Sequence, residues 1–248
     1  MGHELEPRRT RVRRRCTSSD SDHVLDSSPG RACQYERWLA DHGYQAQPNR
    51  QCSPPTLLAI QLQSGQHVRL MQVRRLQAKD VSLVATIDRS EHVDVQYRVI
   101  DGALQPIPAA ITEVAGWDPT GSGAHSVTAE IAFCESVVAR GGILLDAFDG
   151  ERTVGLAIVH PAFEPLLAWL AFLHVSRPYR RRGAAQALWN VAADIALADG
   201  AESIYVSATP TESAVGFYLR QGCRLAHPVH PDLFAAEPED VHLVRSLK

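Results

Sequence analysis

An arginine-rich turn between an apolar strand and an Ala-rich helix carries the residue types that bind a diphosphate. The turn contains the pattern Arg180-x-x-Gly183-x-Ala185, and the helix is predicted to begin directly after it. The first N–H groups of a helix have no partner within it and carry a partial positive charge, which makes them an anion site. Gly183 and the small Ala185 let the main chain approach a pyrophosphate closely, and Arg180–Arg182 add positive charge. The stretch therefore predicts a binding site for a diphosphate group.

The secondary structure around this turn follows from hydrophobic periodicity and from turn-forming residues. The predicted strands span residues 68–76, 93–100, 143–148, 153–159, 166–175, 203–207 and 241–247, and the predicted helices span residues 79–89, 127–138, 184–197 and 213–221. Asp149-Gly150 lies between two strands and is a strong hairpin signal. The segment 166–175 is nearly all apolar, as expected of a central strand buried on both faces. This order of elements predicts a mixed α/β sandwich.

The first 66 residues differ from the rest of the chain. Six arginines lie between residues 8 and 15, and the sequence that follows is rich in Ser, Asp, Gly, Pro and Gln, with little periodicity. We interpret residues 1–66 as a basic, poorly structured N-terminal extension and residues 67–248 as one domain. A tail that binds nucleic acid is the alternative function for the arginines.

Composition limits the class of protein. Apolar residues make up 45% and charged residues 21% of the chain, as in ordinary soluble globular proteins. The formal net charge is −3, and the acidic excess lies after residue 70, which favours a cationic substrate over nucleic acid. The cysteines form no CxxC pair and the histidines show no metal-ligand spacing, so we expect reduced thiols, no metal and a cytoplasmic protein. No apolar run approaches the ~20 residues that span a bilayer, so we expect no membrane association.

Two blocks of the sequence resemble the GNAT superfamily of acetyl-CoA-dependent N-acetyltransferases. Arg180-x-x-Gly183-x-Ala185 is similar to the acetyl-CoA-binding motif of that family, and Phe217-Tyr218 with Gly222 four residues later is similar to its last helix. The resemblance covers roughly residues 71–248. It implies the GNAT fold, an α/β fold with a mixed, mostly antiparallel central sheet flanked by helices. It also implies acetyl-CoA as co-substrate, without a metal.

The sequence departs from the family pattern at three places. Thr211 stands where the family often has Asn, and Ala184-Ala185 replaces a pair that more usually contains Gly. The central strand carries no Glu at the position that some members use as general base. The third departure leaves the identity of the base open.

The resemblance implies direct transfer, in which the substrate amine attacks the thioester carbonyl and the CoA thiolate leaves. It also implies that the strand ending at Val175 splays away from the strand beginning at Ser203, so that main-chain N–H groups are free for the ligand. The cofactor-binding residues that it implies are Leu173, Val175, Arg180, Arg181, Arg182, Gly183, Ala184 and Ala185. Tyr218 recurs in the family as a general acid, and a phenol with a pKa near ~10 can share a proton with a thiolate. His174 is the candidate base, and an ordered water molecule is the alternative.

The acceptor pocket of GNAT proteins lies near the end of the first helix, which points here to Asp88 and Glu91. Trp117 lies in a Gly-rich loop that could cover the pocket, and Asp240 precedes the last strand. Carboxylates at these positions would attract an amine. We therefore expect transfer to a primary amine of a small molecule, such as an aminoglycoside-like compound or a polyamine.

Two other functions remain open at this point. One is acetylation of a protein N-terminus or lysine, which needs an open groove. The other is a non-catalytic module that binds acyl-CoA. Many GNAT proteins dimerise, so the resemblance also makes a homodimer a plausible assembly.

Overall fold

A computed structural model describes residues 71–248 and the backbone of residues 58–59. The predicted N-terminal extension therefore lies outside the described residues, apart from those two. The first residues of the strand predicted over 68–76 lie outside them too.

An eight-stranded sheet forms the centre of the molecule. The strands are β1 (Leu58–Ala59), β2 (Gln72–Arg75), β3 (Glu91–His92), β4 (Val95–Ile100), β5 (Ala103–Pro108), β6 (Glu113–Val114), β7 (Ile143–Asp149), β8 (Arg152–Glu164), β9 (Leu167–Val175), β10 (Ser203–Ala208), β11 (Arg224–Leu225) and β12 (Val241–Ser246). The central sheet has the order β1-β2-β7-β8-β9-β10-β12-β11. Its strands pair antiparallel except β9 and β10, which are parallel. The predicted mixed, mostly antiparallel sheet is confirmed.

Helices cover both faces of this sheet. They are a 3-10 helix (Ala78–Thr86), α1 (Val127–Ala139), a short 3-10 turn (Arg177–Tyr179), α2 (Ala184–Ala198), α3 (Glu212–Arg220) and α4 (Pro231–Ala236). On one face α2 and α3 bury Leu188, Trp189 and Val215 against the sheet. On the other face Val84 of the first 3-10 helix and Val137 of α1 are fully buried. The diphosphate motif at the start of α2 thus belongs to one face, and the segment that follows the first 3-10 helix belongs to the other.

The first helix is shorter and more tightly wound than the sequence predicts. The predicted helix spans 79–89, whereas the structure has a 3-10 helix that ends at Thr86, and Ile87 already has extended backbone angles. The residues after it are held by the turn that follows β9. Asp88 N–H donates to Ser176 Oγ at 3.1 Å, and Arg177 N–H donates to Asp88 O at 2.9 Å. These tertiary hydrogen bonds replace the last turn of the predicted helix.

A hairpin of β4 and β5 extends from the domain. Asp101 and Gly102 form its turn with φ angles of 50° and 74°, which are typical of a tight two-residue hairpin turn. Tyr97 N–H donates to Pro210 O at 2.8 Å, which fixes the hairpin beside the start of α3. The strand β5 was not predicted, because its sequence ALQPIP contains two prolines and little alternation.

Candidate active site

The two parallel strands at the centre of the sheet separate after three residue pairs. Leu167–Trp169 of β9 pair with Ser203–Tyr205 of β10, and beyond them β10 continues to pair only with β12. The register between β8 and β9 shifts at the same level, where Ala171 is an extra residue in β9. A bulge of this kind bends its strand and turns it away from a neighbour. We call the resulting gap the β9–β10 opening; it agrees with the splay that the family resemblance implies.

Main-chain N–H groups of β9 point into this opening. Ser176 N–H donates to Val154 O at 2.9 Å, so the main chain of Ser176 faces β8. Hydrogen-bonding directions alternate along a strand, so the N–H groups of Leu173 and Val175 face the opposite side. Beyond Trp169 no strand pairs with β9 on that side within the described residues. Both N–H groups therefore face the space in which a ligand carbonyl or amide would bind.

The helix α2 begins with a residue that cannot cap it. Gly183 occupies the N-cap position in the left-handed region, with φ 87°, and no side chain accepts from the first turn. Arg181 is also left-handed, with φ 61°, so the chain turns sharply just before the helix. This conformation directs the N–H groups at the start of a 15-residue helix outward. The first N–H groups of α2 are thus left without a side-chain cap, as the predicted anion site requires.

Gly155 of β8 lets this helix pack closely against the sheet. A Cβ atom at Gly155 would lie 2.9 Å from Val175 Cγ2, 3.1 Å from His174 O and 3.3 Å from Leu188 Cδ1. The first of these contacts is shorter than real Cβ atoms make. The missing side chain therefore sets the spacing between β8, the end of β9 and α2.

The Arg180 side chain turns inward and joins several parts of the site. Its Nε donates to Val175 O at 3.0 Å, and one terminal nitrogen donates to Arg89 O at 2.9 Å. The other terminal nitrogen lies 3.5 Å from a carboxylate oxygen of Glu91. Arg181 and Arg182 are exposed, and the Arg182 guanidinium lies over the Tyr179 ring. Arg180 is therefore placed to hold the loop, whereas its two neighbours are accessible to a phosphate.

Aromatic side chains form one wall of the opening. Trp117 is 7% exposed; its ring stacks on Phe172 at 5.9 Å and meets the His174 ring edge-on at 5.1 Å. The Arg89 guanidinium lies 5.8 Å from the Trp117 ring centre. Two residues predicted from distant parts of the sequence, Trp117 and His174, are thus in contact. Phe172 was not singled out by the sequence, because an aromatic residue in a buried strand is typical of a core.

The two predicted acidic residues near the first helix have different surroundings. The Asp88 carboxylate is exposed and accepts from Ser90 N–H at 2.9 Å, and hydrogen bonding from Ser90 holds its pKa below the usual value. Asp88 is therefore ionised at neutral pH. Glu91 is largely buried and faces Arg180. Only Asp88 of the pair presents a carboxylate to solvent.

Tyr218 lies on α3, on the face of the sheet that α2 also covers. Its ring is buried and packs edge-on against Trp189 and Phe217. Burial raises its pKa well above 10.0, and the nearby charges of Cys223, Asp240 and Glu237 raise it further. The phenol therefore keeps its proton over the whole physiological range. The predicted substrate residue Asp240 is close enough to Tyr218 for its charge to act on the phenol.

A further pair of polar side chains lies on the opposite wall. Ser207 of β10 is partly exposed and His242 of β12 is buried, and Ser207 Oγ lies 3.4 Å from His242 Nδ1. The two residues are paired across the strands, so they share one face. The sequence does not suggest this pair, since 35 residues separate its members.

Within the part of the chain that the structure describes, no helix has the length and apolar character needed to cross a membrane. Among the same residues, no three His, Cys, Asp or Glu side chains are grouped so that they could hold a metal ion.

Comparison with known proteins shows which proteins the chain resembles. Residues 111–223 match the model of the acetyltransferase (GNAT) family. A nourseothricin acetyltransferase structure is similar over 71% of this chain and 98% of its own, with 16% identity and a TM-score of 0.54. A putative streptothricin acetyltransferase from Bacillus anthracis, solved with acetyl coenzyme A, is similar over 69% of this chain and 94% of its own, with 15% identity and a TM-score of 0.51. No curated protein matches the chain in sequence.

The likeness to these two structures shows that the chain has their fold. The family match over residues 111–223 agrees with the GNAT resemblance of the two sequence motifs.

Proposed function

We propose that this protein transfers the acetyl group of acetyl-CoA to a primary amine of a small molecule. The observation that carries the proposal is that the start of α2, the β9–β10 opening and the aromatic wall adjoin one another through the sheet. The uncapped start of α2 leads to the N–H groups of Leu173 and Val175 in the β9–β10 opening, and aromatic residues wall the other face. A phosphate-bearing thioester and an amine can therefore approach from opposite faces.

The cofactor end of the site is suited to a pyrophosphate. The N–H groups of Ala184 and Ala185 lie in the first turn of α2, where no side chain competes for them. The exposed Arg181 and Arg182 add positive charge beside them. When bound, acetyl-CoA supplies an acetyl group activated as a thioester.

In the opening, the N–H groups of Leu173 and Val175 bind the pantetheine arm or polarise the thioester carbonyl. Donors that are fixed before the reaction stabilise the negative charge that develops on such an oxygen. Tyr218 donates its proton to the departing sulfur. Its raised pKa keeps that proton in place until a thiolate forms.

The acceptor amine binds on the aromatic face. Trp117 and His174 contact the acceptor, and Asp88 and Asp240 attract its positive charge. His174 is the base expected from the sequence, and its ring contacts Trp117 of this wall. One structural neighbour is named a nourseothricin acetyltransferase and the other a putative streptothricin acetyltransferase, so these antibiotics belong in any test of acceptors.

Thermal unfolding with and without acetyl-CoA is the first test, followed by CoA release with a panel of amines. The panel contains a streptothricin, an aminoglycoside, a polyamine and a peptide with a free N-terminus. We expect stabilisation by acetyl-CoA and CoA release with at least one small amine. Release with the peptide alone would favour a protein acceptor, and stabilisation without any release would favour a binding module. A protein that acetyl-CoA does not stabilise would contradict the proposed cofactor site.

A further inference from the structure

His242 is held in one orientation by two hydrogen bonds. Its Nε2 lies 3.0 Å from the main-chain oxygen of Glu237, and its Nδ1 lies 3.4 Å from Ser207 Oγ. A carbonyl oxygen can only accept, so Nε2 carries the hydrogen of the neutral ring. Nδ1 is then the acceptor nitrogen, and it faces the Ser207 hydroxyl.

Ser207 lies where the opening begins. The last pair between β9 and β10 joins Trp169 and Tyr205, and Ser207 follows two residues later on the same face as Tyr205. Phe172 lies on that face of β9, in the same buried cluster as Tyr205. The partly exposed Ser207 hydroxyl therefore borders the face on which the amine is proposed to bind, with His242 behind it.

The surroundings of His242 favour its neutral form. The ring is buried between Tyr205 of β10 and Phe234 of α4, and burial lowers its pKa below 6.5. The charge of His230, on the same face, lowers the pKa further. His230 itself lies 2.9 Å from Glu164 and 3.9 Å from Asp232.

We propose that Ser207 and His242 form a proton relay that deprotonates the acceptor amine. This inference rests on the proposed function. The amine N–H bond breaks as a new O–H bond forms at Ser207 Oγ, while the original Ser207 proton moves to His242 Nδ1. The electron pair left on nitrogen forms the bond to the acetyl carbon, and the positive charge passes from the ammonium to the imidazole.

The relay differs from the base expected from the sequence. The His174 ring packs against Trp117 and Phe172, an arrangement suited to contact with the acceptor. His242 instead has one nitrogen fixed as a donor and the other directed at a hydroxyl. His174 therefore shapes the acceptor side, and His242 receives the proton.

The test uses Ser207→Ala, Ser207→Thr and His242→Gln in the full chain, with Ser203→Ala as the matched control on the same strand. The Gln side chain keeps a donor for the Glu237 carbonyl but removes the base. The measurements are kcat/KM for a reactive amine against pH and the Kd of acetyl-CoA. For the wild type we expect activity to fall on the acid side with a pKa below 6.5.

Ser207→Ala and His242→Gln should lose that acid limb and about 10²-fold in kcat/KM, with the Kd of acetyl-CoA unchanged. Ser207→Thr should recover most of the rate, and Ser203→Ala should keep the wild-type profile. The relay is overturned, and the proposed function is not, if the acid limb of the kcat/KM profile remains in Ser207→Ala. The same holds if that limb disappears in His174→Gln instead. If His242→Gln does not fold, the Ser207 variants still decide. A wild type that releases CoA with no amine overturns the proposed function and the relay together.

Discussion

A terminal nitrogen of Arg180 donates a hydrogen bond of 2.9 Å to the main-chain carbonyl of Arg89, which lies 91 residues earlier in the chain. The same guanidinium donates to Val175 O at 3.0 Å. It thus joins the segment proposed to bind the acceptor to the end of the strand proposed to bind the thioester. One side chain therefore links these two segments of the chain.

Arg180→Ala should raise KM for both substrates by about tenfold each, because charge-assisted hydrogen bonds contribute about 1.5–3 kcal/mol. Arg180→Lys should recover little, since an ammonium cannot place donors in the same planar fork. Steady-state kinetics with each substrate varied will check this. Arg182→Ala is the control, because that exposed side chain makes no such bridge; it should affect the acetyl-CoA KM only.

Gly183→Ala should weaken acetyl-CoA binding. A residue with a Cβ atom at φ 87° is strained by about 1–3 kcal/mol, and its methyl group would lie at the mouth of the anion site. Gly200→Ala provides the matched control at the other end of the same helix, where φ is 95° and a Cβ atom meets nothing within 4 Å. Calorimetry should show loss of affinity in the first variant only, while both lose thermal stability. Equal affinities would refute the anion site.

Tyr218→Phe should lower kcat by about 10²-fold and leave the acetyl-CoA KM nearly unchanged, because only the departing thiolate needs the proton. The raised pKa of Tyr218 also predicts that the wild type has no alkaline limb below pH 10 from this group, since the phenol stays protonated there. A pH profile of kcat tests both statements. Tyr97→Phe, on the hairpin arm, should behave as the wild type. A Tyr218→Phe enzyme with full kcat would exclude the phenol as the acid.

Trp117→Leu should raise the acceptor KM several-fold, because the indole ring packs on both Phe172 and His174. The acetyl-CoA KM should hardly change, since Trp117 lies on the other face of the sheet from α2. His174→Gln should act in the same direction. Steady-state kinetics with the best amine of the panel will measure both KM values. A change in the acetyl-CoA KM alone would show that the acceptor binds elsewhere.

Gly155→Ala should destabilise the fold by about 1–3 kcal/mol, because the added methyl group overlaps Val175 and crowds Leu188. The end of β9 should shift, so acetyl-CoA binding should weaken as well. Gly116→Ala, where a Cβ atom meets nothing within 4 Å, is the control. Urea unfolding will measure the free energy of unfolding of both variants. An unchanged value for Gly155→Ala would show that Val175 and Leu188 shift at little cost to make room for the methyl group.

Local patterns in the sequence were sufficient to predict the elements of the proposed cofactor site. The apolar strand ending at Val175, the turn at Gly183 and the Ala-rich helix after it depend on neighbouring residues, so they can be predicted from neighbours alone. Pattern reasoning failed where distant residues decide the conformation. The helix predicted over 79–89 ends early because Ser176 and Arg177 bind the main chain of Asp88.

By itself the sequence determined the order of the central strands and of the longer helices, the diphosphate motif and the family resemblance, since these rest on spacing along the chain. Only the tertiary structure decided that Arg180 donates hydrogen bonds to both Val175 O and Arg89 O. It likewise decided that Trp117 contacts His174 and that Ser207 lies beside His242. The physical reason is that these contacts join residues far apart in sequence. Their geometry depends on strand register, on the bulge at Ala171 and on how the helices pack, and no local pattern encodes those.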